Sequence, residues 1–242
     1  MHNWAYMQSK RFDALPSGGL LLLSIVFAPQ HMYASSSGLN NIPTADTAPN
    51  LTLVFQEYST FGAQRRSDDI AAFKFGFDPW ETSSWRNRFE WGIDSDFAPG
   101  MAGPAVLQVK YATQPGPRWP AFCIGVANVA ATASDRARTG QPFWYWVLSQ
   151  DLKFLRLHGG YGLQRGDNNT ALLGVDKTVK LFRRGLMLRA DAVQTDHRRN
   201  WAPSAGGLYA ICKYFVIESW MTQPVHGHPP SFTVKLDFVV KL

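Results

Sequence analysis

The chain has 242 residues, of which 45% are hydrophobic and 17% are charged, and its formal net charge is +6. The charged fraction lies below the roughly 25% of soluble domains, which favours a protein whose outer surface does not all face water. Lys and Arg are spread over many short segments instead of clustering on one element, so the composition argues against a nucleic-acid partner.

The N-terminus has the pattern of an export signal. Lys10 and Arg11 precede an apolar run at 20–28 that is too short to span a bilayer as a helix. Such a run fits the hydrophobic region of a secretory signal peptide, with cleavage predicted after Ala34. We therefore predict a signal peptide at 1–34 and an unstructured polar lead-in at 35–50; a short buried helix is the alternative for the apolar run.

Twelve runs of about ten residues follow, separated by clusters of Gly, Pro, Asn, Asp and Ser. Apolar and polar residues alternate within most runs, and this period of two is typical of a β-strand. The pattern predicts an all-β domain over 51–242 with about 12 strands, 10 to 14 being compatible with it. The predicted strands are 51–61, 70–78, 86–95, 104–114, 119–131, 142–150, 153–164, 169–180, 184–195, 205–214, 215–222 and 231–242.

The connections between the runs alternate in length. Those after even-numbered runs are mostly short, such as PGP at 115–117, with PWETSSW at 79–85 as an exception. Those after odd-numbered runs are mostly longer and polar, such as ATASDRARTGQ. Short turns that alternate with long loops indicate an up-and-down antiparallel transmembrane barrel. Tryptophans near the strand ends support an interfacial aromatic belt: Trp80, Trp85, Trp119, Trp144, Trp201 and Trp220.

The last run, SFTVKLDFVVKL, alternates to the terminus and ends in Phe238-x-Val240-x-Leu242. With the leader and the twelve amphipathic runs, it resembles small porin-like β-barrel proteins of the bacterial outer membrane. The resemblance implies a location among the lipids of that membrane and a last strand read by the barrel assembly machinery. From the residues themselves we predict that the polar lead-in is periplasmic and that the protein has no cofactor. LNNIPTAD, LLGVDKTV and GLMLRADAVQTD are also similar to stretches of uncharacterised outer-membrane barrel proteins, and no activity comes with that similarity.

In a membrane barrel the polar face of each strand lines the lumen. The candidate lumen residues are Lys74, Arg88, Glu90, Asp94, Gln108, Lys110, Arg156, His158, Asp176, Arg189, Asp191, Lys213, Lys235 and Asp237. Basic residues in the long loops could meet lipopolysaccharide phosphates; these are Arg65, Arg66, Arg136, Arg138, Arg165, Arg198 and Arg199.

Three functions stay open. A twelve-stranded barrel lies between the size that side chains fill and that of an aqueous porin, so a narrow passive channel for small polar or weakly anionic solutes is one prediction. A closed structural barrel that contacts lipopolysaccharide or another ligand is the second. A secreted, soluble, lipocalin-like carrier is the third, and it would bury Phe73 and Phe238 while exposing Lys235 and Asp237.

The sequence gives little support for chemistry. Ser149 and Asp151 lie near His158, so a hydrolase site is conceivable, but no nucleophile motif surrounds Ser149. A histidine in a lumen hydrogen-bond network is the favoured reading. His226 and His228 have no fixed third ligand, so we predict neither a metal site nor an enzyme. Cys123 and Cys212 fall on opposite predicted faces, which argues against a disulfide.

Overall fold

The computed structural model describes residues 37–62, 65–81, 85–96, 103–116, 118–165, 169–181, 184–195, 200–223 and 229–242. These residues form twelve strands and one helix: β1 Thr52–Gly62, β2 Arg65–Glu81, β3 Arg86–Asp96, β4 Val106–Gln114, β5 Ala121–Ala130, α1 Ala133–Thr139, β6 Phe143–Asp151, β7 Arg156–Gln164, β8 Thr170–Leu181, β9 Arg184–Thr195, β10 Asn200–Ala210, β11 Phe215–Thr222 and β12 Ser231–Lys241. The predicted signal peptide lies outside the described residues. Among the described residues, no helix is long and apolar enough to cross a membrane.

The strands form one closed antiparallel barrel in which each strand pairs with its neighbours in sequence. β1 pairs with β12 without interruption, from Thr52 opposite Lys241 to Gly62 opposite Ser231. The barrel therefore has no unpaired strand edge, which a bilayer would not tolerate. The predicted all-β, twelve-stranded, up-and-down barrel is confirmed.

β2 and β10 depart furthest from the predicted strand boundaries. β2 begins at Arg65, so Arg65 and Arg66 are strand residues, and their prediction as loop residues is wrong. The ladder between β1 and β2 continues through this polar stretch because backbone pairing does not require an apolar face. β2 also extends to Glu81, which leaves only 82–85 as its connection to β3 and removes the exception to the pattern of short turns.

β10 covers Asn200–Ala210 and not 205–214, because its pairing with β9 starts at Asn200. Lys213 consequently lies in the turn at 211–214, where it is exposed and its Nζ sits 4.6 Å from the centre of the Tyr214 ring. Its prediction as a lumen residue is wrong.

The two ends of the barrel differ. The chain enters β1 at one end, which we call the short-turn end; it carries the connections at 82–85, 115–120, 152–155, 182–183 and 211–214. The opposite end, the long-loop end, carries α1. Thr132 caps this helix by accepting a hydrogen bond from the Asp135 backbone N–H, and Gly140 ends it with a φ of 89°.

The apolar face points outward and the polar face points inward. Val109 is 47% exposed while its neighbour Lys110 is 1% exposed, and Phe238 is 50% exposed while Asp237 is 6% exposed. This orientation is opposite to the one that a soluble carrier requires. Trp85, Trp119, Trp144 and Trp201 are exposed near strand ends. Trp220 is buried and faces inward, so it does not belong to the predicted aromatic belt.

Candidate functional site: the barrel lumen and its inner segment

Residues 37–50, which we call the inner segment, run through the inside of the barrel as far as Ala48, and Pro49 and Asn50 are exposed where the segment leaves it. Gly38 and Pro43 pair in an antiparallel bridge, and the Leu39 N–H donates to the Ile42 carbonyl at 3.0 Å. These contacts fold the start of the segment into a hairpin with Asn40 and Asn41 at its tip. The prediction of an unstructured lead-in is wrong, because wall residues far away in sequence satisfy the segment's backbone groups.

Asp191 on β9 holds the hairpin tip. Its Oδ2 atom accepts the backbone N–H groups of Asn40 at 2.8 Å and of Asn41 at 2.9 Å, while Oδ1 accepts the Ser204 hydroxyl at 2.6 Å. The Asn40 and Asn41 side-chain amides donate to Ser204 and Thr222, each at 3.0 Å. One carboxylate thus accepts three hydrogen bonds, two of them from backbone groups of the tip, which makes Asp191 a principal anchor of the tip.

Glu90 on β3 holds the stem of the hairpin and the chain that follows it. One carboxylate oxygen accepts the Ser37 backbone N–H at 2.8 Å. The other accepts the Ser37 hydroxyl at 2.5 Å and the Ala48 N–H at 2.6 Å. This buried carboxylate therefore joins two parts of the inner segment that lie eleven residues apart.

Lys110 on β4 is the complementary donor. Its ammonium donates to the backbone carbonyls of Ser37 at 2.7 Å and Thr44 at 3.3 Å, and also to that of Asp46. The Glu90 carboxylate lies 3.8 Å away. Glu90 and Lys110 thus neutralise each other, and both form hydrogen bonds with backbone groups of the inner segment. These contacts compensate the cost of removing the two charges from water.

Arg156 on β7 binds the segment near the short-turn mouth. Its Nη1 atom lies 2.7 Å from Asp46 Oδ2. Burial opposes ionisation of Asp46, but the Arg156 guanidinium, together with the Thr44 hydroxyl and the Lys110 charge, outweighs it and holds the pKa of that carboxyl below its usual range. The pair is therefore ionised at neutral pH, and its stabilising effect is lost only as the pH falls through that lowered pKa.

Ser149, His158 and Asp176 form a chain of hydrogen bonds in the wall. Ser149 Oγ lies 2.8 Å from His158 Nδ1, and His158 Nε2 lies 2.8 Å from Asp176 Oδ2. In a hydrolytic triad the serine meets Nε2 and the acid meets Nδ1, the reverse of this order. The Ala45 N–H also covers the serine hydroxyl at 3.0 Å, while Asp151 lies exposed at the strand end. This geometry anchors the inner segment and leaves no open nucleophile.

An apolar cluster completes the attachment of the inner segment. Leu39 and Ile42 pack towards Gly174 on β8, where a Cβ atom would overlap both side chains. The buried cluster comprises Leu39, Ile42, Ala45, Ala112, Ala121, Cys123, Ala127, Tyr145, Val147, Leu172 and Val193. Its wall residues explain why the predicted run at 142–150, PFWYWVLSQ, which forms most of β6, is apolar on both faces: one side faces out of the barrel and the other covers the segment.

A second charge network lies on β1, β9, β11 and β12. Glu218 accepts from Arg189 Nη1 at 2.7 Å and from Lys235 Nζ at 3.1 Å, and Lys235 lies 3.7 Å from Asp237. The Gln56 side chain donates to Asp237 at 2.7 Å. The charges on this side of the lumen are thus paired with one another and not with the inner segment.

Most candidate lumen residues face the lumen, some of them deep in the barrel and two of them at its short-turn mouth. The interior ones are Lys74, Glu90, Asp94, Gln108, Lys110, His158, Asp176, Arg189, Asp191, Lys235 and Asp237. Arg88 and Arg156 are partly exposed at the short-turn mouth, where Arg88 lies 3.9 Å from Asp78. Sequence reasoning missed Glu218, Gln56 and the whole inner segment. Glu218 becomes recognisable through its register partner Lys235, which no local pattern supplies.

The remaining candidates lie elsewhere. Arg136 and Arg138 on α1 and Arg165 after β7 are exposed at the long-loop end, while Arg198 and Arg199 lie outside the described residues. Cys123 is buried with its Sγ 3.4 Å from the Thr44 carbonyl, and Cys212 is exposed in the turn at 211–214; both thiols are free. In the described part of the chain no group of three His, Cys, Asp or Glu side chains could hold a metal ion, and His197, His226 and His228 fall outside that part.

Comparison with known proteins supports the fold. No family model matches the chain, and no curated protein matches it. An outer membrane channel from Pseudomonas putida F1 is similar in structure, with a TM-score of 0.52 and 7% sequence identity over 81% of this chain and 98% of that one. A triple mutant of the Rhodopseudomonas blastica porin has a TM-score of 0.39 and 8% identity, over 78% and 99% of the two chains, a likeness too distant to support an argument. The chain thus has the fold of a bacterial outer-membrane barrel, and the predicted resemblance is confirmed at that level.

Proposed function

We propose that the protein is a narrow passive channel of the bacterial outer membrane, in which the inner segment sets the width of the lumen. The observation that carries this proposal is the arrangement of charge: the barrel is apolar outside, while its interior is lined with hydrogen-bonding and charged side chains. A lumen of that kind replaces the hydration of a small polar solute. The leader at 1–34 would direct export, and the short turns would face the periplasm.

The weak preference for anions would arise at the short-turn mouth. Arg88 and Arg156 lie there, partly exposed. Among the described interior residues, the four basic side chains of Lys74, Lys110, Arg189 and Lys235 are outnumbered by the six acidic ones of Glu90, Asp94, Asp176, Asp191, Glu218 and Asp237. An anionic solute would therefore be attracted into the mouth by Arg88 and Arg156 and slowed in the middle of the barrel.

Planar-bilayer recordings test this function. The mature chain should give small conductance steps, and a variant with residues 38–44 replaced by an equally long Gly-Ser sequence should give larger ones. The same replacement at 133–139 in α1 is the matched control and should leave the step size unchanged. A barrel whose mobility in gel electrophoresis is heat-modifiable but that gives no steps in any variant would contradict the channel, and equal steps in all three would contradict the role of the inner segment.

A closed barrel that contacts lipopolysaccharide is the second candidate. It is favoured by the inner segment, whose hydrogen bonds and apolar contacts extend to every strand from β2 to β11. The exposed side chains of Arg136, Arg138 and Arg165 would bind the phosphates. Absence of conductance, together with lipopolysaccharide binding that is lost when all three become Gln, would select this function.

A further inference from the structure

The exposed charges are distributed unequally between the two ends of the barrel. At the short-turn end the exposed basic side chains are Arg86, Arg118, Lys153, Lys177, Lys180, Arg184, Lys213 and Lys241. Among the described residues of that end, Asp151 is the exposed acidic side chain. At the long-loop end the exposed basic side chains that the structure describes are Arg136, Arg138 and Arg165. Among the described residues, the exposed positive charge thus concentrates around the mouth through which the chain enters β1.

Large apolar side chains accompany these charges in nearly every short connection. They are Trp85 beside Arg86, Trp119 beside Arg118, Leu152 and Phe154 around Lys153, Leu181 close to Arg184, Ile211 and Tyr214 around Lys213, and Leu242 beside Lys241. They are more than one-third exposed, with Trp119 at 65% and Phe154 at 66%. We call this ring of apolar and basic side chains the short-turn rim.

Two turns show how the local backbone produces the pairing. In the turn at 152–155 the Leu152 N–H donates to the Leu155 carbonyl at 2.9 Å, and Lys153 adopts a φ of 70°. Leu152 and Phe154 are then presented on either side of the lysine. In the turn at 211–214 the Lys213 ammonium lies 4.6 Å from the centre of the Tyr214 ring, a cation–π contact that keeps the charge beside the apolar side chain.

The combination matches the chemistry of a bilayer interface. Aromatic and aliphatic side chains favour the boundary between headgroups and acyl chains, and Lys or Arg beside them reach the phosphates. A leaflet that contains anionic lipid attracts such basic residues strongly. A soluble polyanion would bind to a basic patch on one side of the protein, whereas this ring of basic residues surrounds the barrel. Lys177 is paired with the outward-facing Leu188, which places its charge at the edge of the apolar belt.

We propose that the short-turn rim binds the headgroups of anionic phospholipids in the leaflet that surrounds it. This inference depends on the membrane location proposed above and is independent of conductance. The rim would fix the depth of the barrel in the bilayer and enrich anionic lipid around the short-turn mouth. The bound chemistry is a phosphodiester with net negative charge, of which phosphatidylglycerol is the simplest probe.

Electron spin resonance on the complete mature barrel, reconstituted in phosphatidylcholine vesicles, tests the proposal. Spin-labelled phosphatidylglycerol should associate with the protein two- to threefold more strongly than spin-labelled phosphatidylcholine, and 1 M NaCl should reduce the ratio. The variant Arg118→Gln, Lys153→Gln, Lys213→Gln changes three exposed turn residues and should lower the ratio towards one. The matched variant Arg136→Gln, Arg138→Gln, Arg165→Gln removes the same charge at the other end and should retain the preference.

Two results would overturn the inference: a ratio near one for the unmodified barrel, or a preference that the long-loop variant abolishes and the short-turn variant keeps. The second result would assign the anionic lipid to the long-loop end. A chain that fails to enter vesicles at all, measured by flotation, would instead contradict the membrane location on which both proposals depend.

Discussion

Gly174 allows the inner segment to touch the barrel wall. A Cβ atom there would overlap the Cδ1 atoms of Leu39 and Ile42. Gly159, on the neighbouring strand β7, has open space where its Cβ would be. Substituting each glycine by alanine therefore separates two effects: displacement of the inner segment by the new methyl group, and the general effect of replacing a glycine in a strand.

We expect Gly174→Ala to loosen the inner segment and Gly159→Ala to leave it seated. Cys123 reports the difference, because its thiol is buried against the Thr44 carbonyl. Its modification by a small maleimide should accelerate tenfold or more in Gly174→Ala, while exposed Cys212 reacts at an unchanged rate as the internal control. Equal Cys123 rates in both variants would mean that the segment does not press on Gly174.

Asp191→Ala removes the anchor of the hairpin tip. The backbone N–H groups of Asn40 and Asn41 then lose their common acceptor, and a buried donor without a partner costs roughly 1–3 kcal/mol. Modification of Cys123 should accelerate by about tenfold, a factor that corresponds to 1.4 kcal/mol. Asp135→Ala at the surface of α1 is the control. An unchanged rate in Asp191→Ala would show that the tip does not govern the seating of the segment.

At the scale of elements, the inner segment has no neighbouring strand to pair with. Instead, side chains of the barrel wall form hydrogen bonds with many of its backbone groups. The Lys110 ammonium donates to three of its carbonyls. Glu90 and Asp191 supply acceptors for its amides. Because these bonds share a few wall residues, the segment should open cooperatively and independently of the barrel.

Lys110→Met keeps the length of the side chain and removes its donors. Amide hydrogen exchange at 37–48 should accelerate as a group, while the amides of β1 keep their protection because the ladder with β12 is intact. Lys153→Met in a short turn is the matched control and should not change either set. Faster exchange in β1 as well would indicate that the segment and the barrel unfold together.

At the scale of the whole molecule, the outward apolar belt distinguishes a membrane barrel from a soluble one. Val109 lies on β4 and is half-exposed, so in water an arginine there would cost little. In a bilayer an arginine near the midplane costs about 2–4 kcal/mol.

We therefore expect Val109→Arg to lower the free energy of unfolding from lipid vesicles by about 2–4 kcal/mol, measured by urea titration of tryptophan fluorescence. Leu152 lies in the turn at 152–155, outside the strands. Leu152→Arg should therefore lower the free energy of unfolding by well under half of that amount. A negligible effect of Val109→Arg would mean that this face does not contact lipid.

The sequence by itself determined the strands, their faces and the closure of the barrel. Alternation such as that of Phe238 and Asp237 is local, since neighbouring side chains point to opposite sides of any strand. The alternation of short turns and long loops also predicted that the short connections share one end of the barrel and the long ones the other. Boundaries failed where polar residues continued a ladder, as at Arg65, or where a strand started early, which moved Lys213 out of the barrel.

Only the tertiary structure decided what fills the lumen. Asn40 meets Asp191 across 151 positions of sequence, and Ser37 meets Glu90 across 53. Such pairs depend on the register between the strands and on which wall side chains meet the inner segment across the lumen, and a local pattern encodes neither. The one local trace was β6, whose inward side is apolar because it covers the inner segment. A polar stretch such as LNNIPTAD reads as a loop in isolation, and it becomes ordered because the closed wall surrounds it with acceptors and donors.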